Sequence, residues 1–286
     1  MKTLVIYHGH CPDGFGASWV VRKAMGEENV EFFSAIHNRP PPDVAGRDVV
    51  MVDFAYPRDV MERLVKTASS ILVLDHHESA EKGLAGFEAP NFRAVFDMNK
   101  SGVGVAWAHY FPDQHMPRLL QHVQDMDIWT WRVPGTAEVM GAVFSYPYDY
   151  PTWDWLMGRV GKLRREGVAL SRRRKLDIGE LRTRLGGLRM NIGGHNVPVF
   201  NAPAMFAELA VTACAMEPFA GIFTLAGDAE LGPRVRFSLR SAPTGLNVAE
   251  IAMKYGGGGH AHAAGFEVSL DEAMRMLALP VKEQAA

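Results

Sequence analysis

Histidines and aspartates gather at four places in the first half of the chain. "HGHCPDG" supplies His8, His10, Cys11 and Asp13; "VDF" supplies Asp53; "LDHHES" supplies Asp75, His76 and His77; "QDMDIW" supplies Asp125 and Asp127. Carboxylates and imidazoles brought together repel one another, or go unsatisfied, unless a cation binds them. A set of oxygen and imidazole donors without a thiolate majority suits Mn2+ or Mg2+ best, and Zn2+ or Fe2+ less well. The donors suffice for two ions, the usual arrangement for activating a water and clamping a phosphate during in-line displacement. Singly, His8 has a plain use as a cap or core residue, Asp53 as a cap to the next helix, and Asp125 and Asp127 as surface residues of a helix. Three adjacent ionisable groups at the end of a buried strand have no such use, so Asp75 to His77 carry the metal-site expectation.

The flanking segments say how these groups are positioned. "TLVIYH", "DVVMVDFAYP" and "SILVLDHHES" read as buried strands ending near His8, at Asp53 and at Asp75, with helix-compatible stretches between them. Continuous apolar strands alternating with helices predict a parallel sheet covered on both faces. Such sheets bind ligands at the carboxyl ends of their strands, where three of the four clusters fall. "SGVGVAWAHYF" and "PRLLQHVQDMDIW" read as helices, "YPYDYPTWDW" as an aromatic, proline-containing connection, and the basic stretch "GKLRREGVALSRRRKLDIGELRTRL" as a linker helix whose charges form a solvated face. Beyond it, "NVPVFNA", "FAGIFTLAG", "RVRFSLRS" and "AAGFEVSL" read as strands and "NVAEIAMKYG" as a helix ending in glycine. The expected domains are 1–150, a helical linker 151–189, and a smaller α/β domain 190–286.

That second domain contains "YGGGGHAHAAGF", with Gly256, Gly257, Gly258 and Gly259 directly before His260. Successive unshielded backbone N–H groups can cradle a phosphate, to which His260 would add a hydrogen bond. A glycine-rich turn for tight helix-to-strand packing is the alternative. Arg240 and Ser241 end a strand shortly before, where a guanidinium can grip phosphate with two hydrogen bonds or simply lie on the surface.

Composition excludes several classes. With 48% hydrophobic and 22% charged residues, the 286-residue chain can build a core in each half. A formal net charge of −2 provides no global positive field for a long nucleic acid. Two cysteines, Cys11 and Cys214, argue against a disulfide framework and for a reducing compartment. No stretch reaches the ~18 apolar residues of a membrane helix, and a cytoplasmic protein without a membrane partner is expected.

Taken together, "HGHCPDG", "VDFAYP", "LDHHES", "FDMNKSGVGVAWAHYF", "QDMDIWTW", "FSLRS" and "YGGGGHAHAAGF" resemble, in this order and over most of the chain, the DHH phosphoesterases with a carboxy-terminal DHHA1 domain. The nano-RNA nucleases and RecJ-like DHH phosphohydrolases read this way. The resemblance implies a two-domain α/β fold, a DHH domain with a mostly parallel sheet flanked by helices plus a smaller DHHA1 domain. It implies metal ligation by His8, Asp13, Asp53, Asp75, His76 and Asp125, with His10, Cys11 and Asp127 in reserve, and a Mn2+ cofactor in a two-metal site, with Mg2+ or another divalent ion as alternatives. His77, with Asp75, would act on the substrate phosphate; Arg240, Ser241, Gly256 to Gly259 and His260 would hold the phosphate or nucleotide. The family's first motif usually offers two aspartates after its histidine. Here only Asp13 stands, with Cys11 two residues before and Phe15 two after, so the register of the histidine ligand, His8 or His10, stays open.

The implied function is hydrolysis of short oligonucleotides or dinucleotides to mononucleotides by a metal-activated water. Alternatives are a 3′-phosphoadenosine 5′-phosphate phosphatase, a cyclic-dinucleotide phosphodiesterase, and a nucleotide-sensing module without turnover. Long duplex DNA is not an expected partner, and a homodimer is left open.

Overall fold

A computed structural model of the chain describes residues 2–37, 39–185, 188–203, 206–228 and 232–277. The chain divides into two units, Met1–Arg173 and Arg174–Ala286. In the first unit the elements run β1 (Thr3–His8), α1 (Pro12–Met25), β2 (Val30–Ala35), β3 (Asp48–Val52), α2 (Arg58–Leu64), β4 (Ser70–Asp75), α3 (Glu78–Leu84), β5 (Phe92–Phe96), α4 (Gly102–Tyr110), α5 (Arg118–Asp127), α6 (Thr136–Val143) and α7 (Tyr150–Met157). The long helix α8 (Val160–Leu185) runs on into the second unit.

The first sheet is wholly parallel, in the order β2-β1-β3-β4-β5. Its central strands are apolar at almost every position because they are buried on both faces. Val5, Val50, Val52 and Leu74 join the core beneath α1, α4 and α5. Their neighbours Leu4, Ile6, Val49, Met51, Ile71 and Val73 join a second core containing Met61 and Leu64 of α2 and Leu84 of α3. Period-two alternation thus feeds two apolar layers rather than one. The edge strands β2 and β5 escape the sequence reading because β2 is only partly buried, β5 is largely exposed, and neither has a continuous run of buried residues.

The segment "YPYDYPTWDW", expected as a connection, contains the first six residues of α7. The Asp149 carboxylate caps it by accepting from the Thr152 N–H at 2.7 Å, Pro151 sits in the first turn where its missing N–H is harmless, and Trp153 and Leu156 are fully buried in the first core. Burying each of these side chains stabilises the unit by roughly 1.5–3 kcal/mol. Prolines and aromatics conceal a helix that the core nevertheless requires.

The second unit runs β6 (Arg189–Ile192), β7 (His195–Asn201), α9 (Glu208–Ala213), β8 (Ala220–Asp228), β9 (Gly232–Arg240), α10 (Val248–Met253), β10 (Gly258–His260), β11 (Ala263–Ser269) and α11 (Leu270–Met276). Its sheet, ordered β10-β11-β9-β8-β7-β6, is antiparallel except for the β7–β8 pair. Val248 and Ile251 of α10 and Met276 of α11 pack with Phe237 and Phe266. Leu209 and Ala210 of α9 pack with Phe200 and Ile222 in a separate cluster. Residues 278–286, the end of the expected second domain, and the linker residues 186 and 187 lie outside the described residues. No helix among the described residues is long and apolar enough to cross a membrane.

Candidate metal centre

In the first sheet β1, β3 and β4 are neighbours, and their carboxyl ends place His8, Asp53 and Asp75 side by side. This is also where the strand order reverses between β1 and β3, the crevice position of doubly wound sheets. Asp53 follows β3 in a left-handed backbone conformation, φ 54°, while its N–H bonds the Leu74 carbonyl at 3.0 Å. A non-glycine residue held there is strained by on the order of 1–3 kcal/mol, and such residues concentrate at functional sites.

The His76 ring is the hub. Its Nε2 lies 3.1 Å from Asp53 Oδ1, 3.4 Å from Asp127 Oδ2 and 3.7 Å from Asp13 Oδ2. Burial opposes charge on this imidazole, but the Asp53 hydrogen bond and the fields of Asp127, Asp53 and Asp13 outweigh it and raise its pKa to about 10. Asp75 accepts at Oδ1 from the His76 N–H and from His77 Nδ1, each at 2.7 Å. An ionised carboxylate can only accept, so the proton of His77 belongs on Nδ1. Burial acts against charge on His77 as well, and Asp75 overcomes it to raise its pKa.

The carboxylates divide. Burial pushes Asp13 well above the usual range, helped by Asp127 and Asp53. Burial also raises Asp127, with Asp53 adding to it against the pull of His76. In Asp53 burial is outweighed by His76 and by His8, whose Nδ1 lies 3.5 Å from Oδ2, and the carboxyl is held well below its usual range.

Asp13 is placed by three elements. It is the second residue of α1, where a carboxylate suits the positive end of the helix. Its Oδ1 accepts from Ser101 Oγ at 2.6 Å and from the Val103 N–H, in the first turn of α4, at 3.1 Å. Between these donors stands Gly102. A Cβ there would collide with Asp53 Cβ and come within 2.8 Å of Asp13 Oδ2, so only glycine lets α4 approach both carboxylates.

A cation fits this set. Asp13, Asp53, Asp75 and Asp127 each keep a buried Oδ2 that accepts no hydrogen bond, against the general rule that buried polar atoms are paired. Ligand atoms within 4.8 Å of one another group as Asp53, Asp75, His76 and His77; as Asp13, His76 and Asp127; and as His8, Cys11 and Asp53. These overlapping groups suit more than one ion. Burial, reinforced by Asp53, Asp127 and Asp13, pushes the Cys11 thiol well up, so it remains protonated beside the carboxylates. His10 is exposed, with φ 58°, and stands outside these groups.

One expected ligand is corrected. The resemblance puts Asp125 ahead of Asp127, but the Asp125 carboxylate is fully engaged in the loop after α5. Oδ1 accepts from Thr130 Oγ1 at 2.6 Å and the Arg132 N–H at 2.7 Å; Oδ2 accepts from the Val133 N–H at 3.0 Å and Thr136 Oγ1 at 2.6 Å. Burial is outweighed by these donors, which hold its pKa down. Asp127, at the end of α5, enters the cluster instead. Sequence reasoning also missed His37, whose ring centroid is 5.3 Å from His8 and 4.8 Å from Phe54. Burial, with His8 and His77, pulls its pKa down to about 4, so it is neutral at physiological pH.

In the second unit the glycine run is closely packed. Gly256 follows α10 with φ 74°, its N–H bonding the Met253 carbonyl at 3.1 Å. A Cβ on Gly257 would lie 2.6 Å from Phe266 Cβ, and one on Gly259, φ 138°, 2.6 Å from the Ala263 carbonyl. Helix termination and close contact with β11 therefore account for three of the four glycines. Pairing register aligns His260 with Ala263 and Ala263 with Arg240. Residues directly opposite share a face of the sheet, so Arg240 and His260 point the same way across a small alanine. Ser241, next in the chain, is buried and engaged separately, with Oγ 2.9 Å from His262 Nδ1.

Residues 208–283 match the DHHA1 domain family. The chain is 29% identical to the uncharacterized protein R106 of Acanthamoeba polyphaga mimivirus, over 93% of this chain and 67% of that one. Among solved structures, RecJ from Thermus thermophilus in complex with Mn2+ has a similar fold, with TM-score 0.51 and 15% identity, over 96% of this chain and 51% of that one. The DHH domain of a protein assigned to a ribosomal-protein family has TM-score 0.52 and 14% identity, over 96% of this chain and 85% of that one. At these identities the solved structures speak for the fold alone. The match makes residues 208–283 a DHHA1 domain, and the chain shares with RecJ a fold of two α/β units.

Proposed function

We infer that the protein is a metal-dependent phosphodiesterase that hydrolyses short oligonucleotides or dinucleotides to mononucleotides. The observation that carries this is the set of four buried carboxylate oxygens without hydrogen bonds around His76. His8, Asp13, Asp53, Asp75, His76 and Asp127 are the residues that would hold divalent ions, and Mn2+, one of the ions with which Thermus RecJ has been solved, is the ion we assign. When bound, such ions supply the Lewis acidity that activates water and neutralises phosphoryl charge. The chain's own groups do the rest. Asp75 fixes the His77 ring with a proton on Nδ1 and raises its pKa, which favours the imidazolium form that would face a phosphoryl oxygen. Arg240 and His260, aligned at one end of the second sheet, form with Ser241, next in the chain to Arg240, the set that would grip a further phosphate. With both cysteines free, the reducing cytoplasm is the compartment we assign.

The test is hydrolysis, with Mn2+ and with chelator, of a 5′-phosphorylated dinucleotide, a five-residue RNA, linear and cyclic dinucleotides and 3′-phosphoadenosine 5′-phosphate. Mononucleotides are expected from the short oligomers with metal only. Phosphate from the bisphosphate alone would make the protein a monoesterase, and binding without turnover would make it a sensor.

A further inference from the structure

Two tryptophans stand in the open on the loop that follows Asp127. Trp129 and Trp131 are 46% and 41% exposed. Their ring centroids are 4.9 Å apart and the planes meet at 82°, so the pair forms a corner with perpendicular aromatic walls. Both have left-handed backbones, with φ 58° and 53°. Each feature runs against ordinary preference. Indole is among the largest apolar groups a chain can bury, and bulky residues at positive φ are strained, by on the order of 1–3 kcal/mol each.

The loop is held in this shape from below. Asp125 receives the side chains of Thr130 and Thr136 and the N–H groups of Arg132 and Val133, while its carbonyl accepts from the Thr130 N–H at 3.0 Å. Thr136 Oγ1 in turn lies 2.9 Å from Nδ1 of the buried His122. The one hydroxyl proton of Thr136 points at the Asp125 carboxylate, so His122 Nδ1–H donates to Thr136. A buried network therefore fixes a loop whose two largest side chains it leaves nearly half exposed. Apart from their edge-to-face contact with each other, a large part of each ring is left in solvent.

Distance to the cluster gives them a use. Asp127 is a member of the metal group, and an extended chain spans at most ~3.6 Å per residue, so the Trp129 and Trp131 backbones lie within about 7 and 14 Å of it. A phosphate at the cluster would bring the remainder of its ester into that radius. Perpendicular aromatic walls select a flat π-system: one wall stacks on its face while the other meets its edge. A polyphosphate chain or a sugar has no such face.

We propose that Trp129 and Trp131 form a base-stacking corner that makes this a nucleotide-selective esterase. The proposal rests on the assignment of the cluster as a phosphoester site and deepens it, by naming the group that recognises the substrate's base. The residues position and select; they do not take part in bond cleavage.

The experiment is a calorimetric titration of the full chain, with Mn2+ present, using adenosine 5′-monophosphate and ribose 5-phosphate as probes. The wild type is expected to bind the nucleotide more tightly. Trp129→Ala and Trp131→Ala should each weaken nucleotide binding by about 5- to 150-fold, the range for one base–aromatic stack, and leave ribose 5-phosphate unchanged; Trp→Phe at either position should restore most of the loss. Equal binding of the two probes by the wild type, or no binding of the nucleotide, overturns the proposal. So does an alanine variant that keeps its nucleotide affinity, or one that loses only self-association in sedimentation, which would make the corner a protein contact. Titration with Mn2+ alone separates the failures: metal binding that His76→Ala abolishes leaves the metal centre standing even if the corner falls.

Discussion

At the carboxyl ends of β1, β3 and β4, four carboxylates each keep a buried oxygen with no hydrogen bond; at the β9–β11–β10 end of the second sheet, glycines are packed against β11 and Arg240, Ala263 and His260 stand in pairing register. Phosphate chemistry is expected at both ends, and they are built differently. The first is an electrostatic deficit that a cation would fill. The second is a close-packed backbone that aligns side chains. The same contrast recurs within one turn of α5, where Asp125 is engaged by four donors to its carboxylate and Asp127 leaves Oδ2 without one. Residue type alone does not make a ligand; an unanswered oxygen does.

The contrast can be broken most forcefully at its hub. His76→Ala and Asp127→Asn should each lower metal-dependent turnover by roughly 10²–10³-fold or more, the scale for losing one preorganised electrostatic contact. Steady-state kinetics alongside thermal melts would check this, and full activity in Asp127→Asn would return the ligand role to Asp125. Arg240→Ala, at the other sheet end, should raise KM by about 10- to 100-fold, as for a lost hydrogen bond to a charged group, with Mn2+ affinity unchanged. A matching fall in Mn2+ affinity would erase the distinction between the two ends.

Smaller effects sharpen it. Asp125→Ala should destabilise the first unit by about 1–3 kcal/mol, because four donors lose their acceptor; urea unfolding measures this, and Asp127→Asn in the same assay should show no comparable loss. Gly102→Ala should cost about 1–3 kcal/mol as an overpacked contact and weaken Mn2+ binding, since the added methyl pushes on both Asp53 and Asp13.

The last prediction concerns pH. Asp13, Asp127 and His76 all have raised pKa values in the metal-free protein. A group with a raised folded-state pKa contributes stability that is present below its unfolded value and lost as pH rises through the folded one; for His76 that window runs from 6.5 to about 10. A divalent ion displaces these protons. The rise in melting temperature produced by Mn2+ should therefore grow from mildly acidic to alkaline buffer, and a constant or shrinking shift would contradict the cluster's assignment.

Much of this is legible in the sequence. The apolar runs before His8, Asp53 and Asp75 announce buried parallel strands, and hence a sheet whose carboxyl ends gather the polar residues. Local patterning suffices when a strand is buried on both faces. It fails for β2 and β5, which are half in water, and for α7, whose proline and aromatics imitate a loop until Trp153 is seen to fill the core. Gly102 carries a signal in "SGVG", a glycine at the start of a helix, but what it approaches lies 49 positions away at Asp53.

By itself, then, the order of residues determined which strands exist and which histidines and aspartates arrive at one sheet edge, because burial and periodicity act over a few neighbouring positions. Only the tertiary structure set Asp125, engaged by four donors, apart from Asp127, and packed three of the four glycines against a helix end and a strand. Both outcomes depend on which donors and backbones come within hydrogen-bond or van der Waals reach, and contacts of that kind join residues that the chain keeps apart.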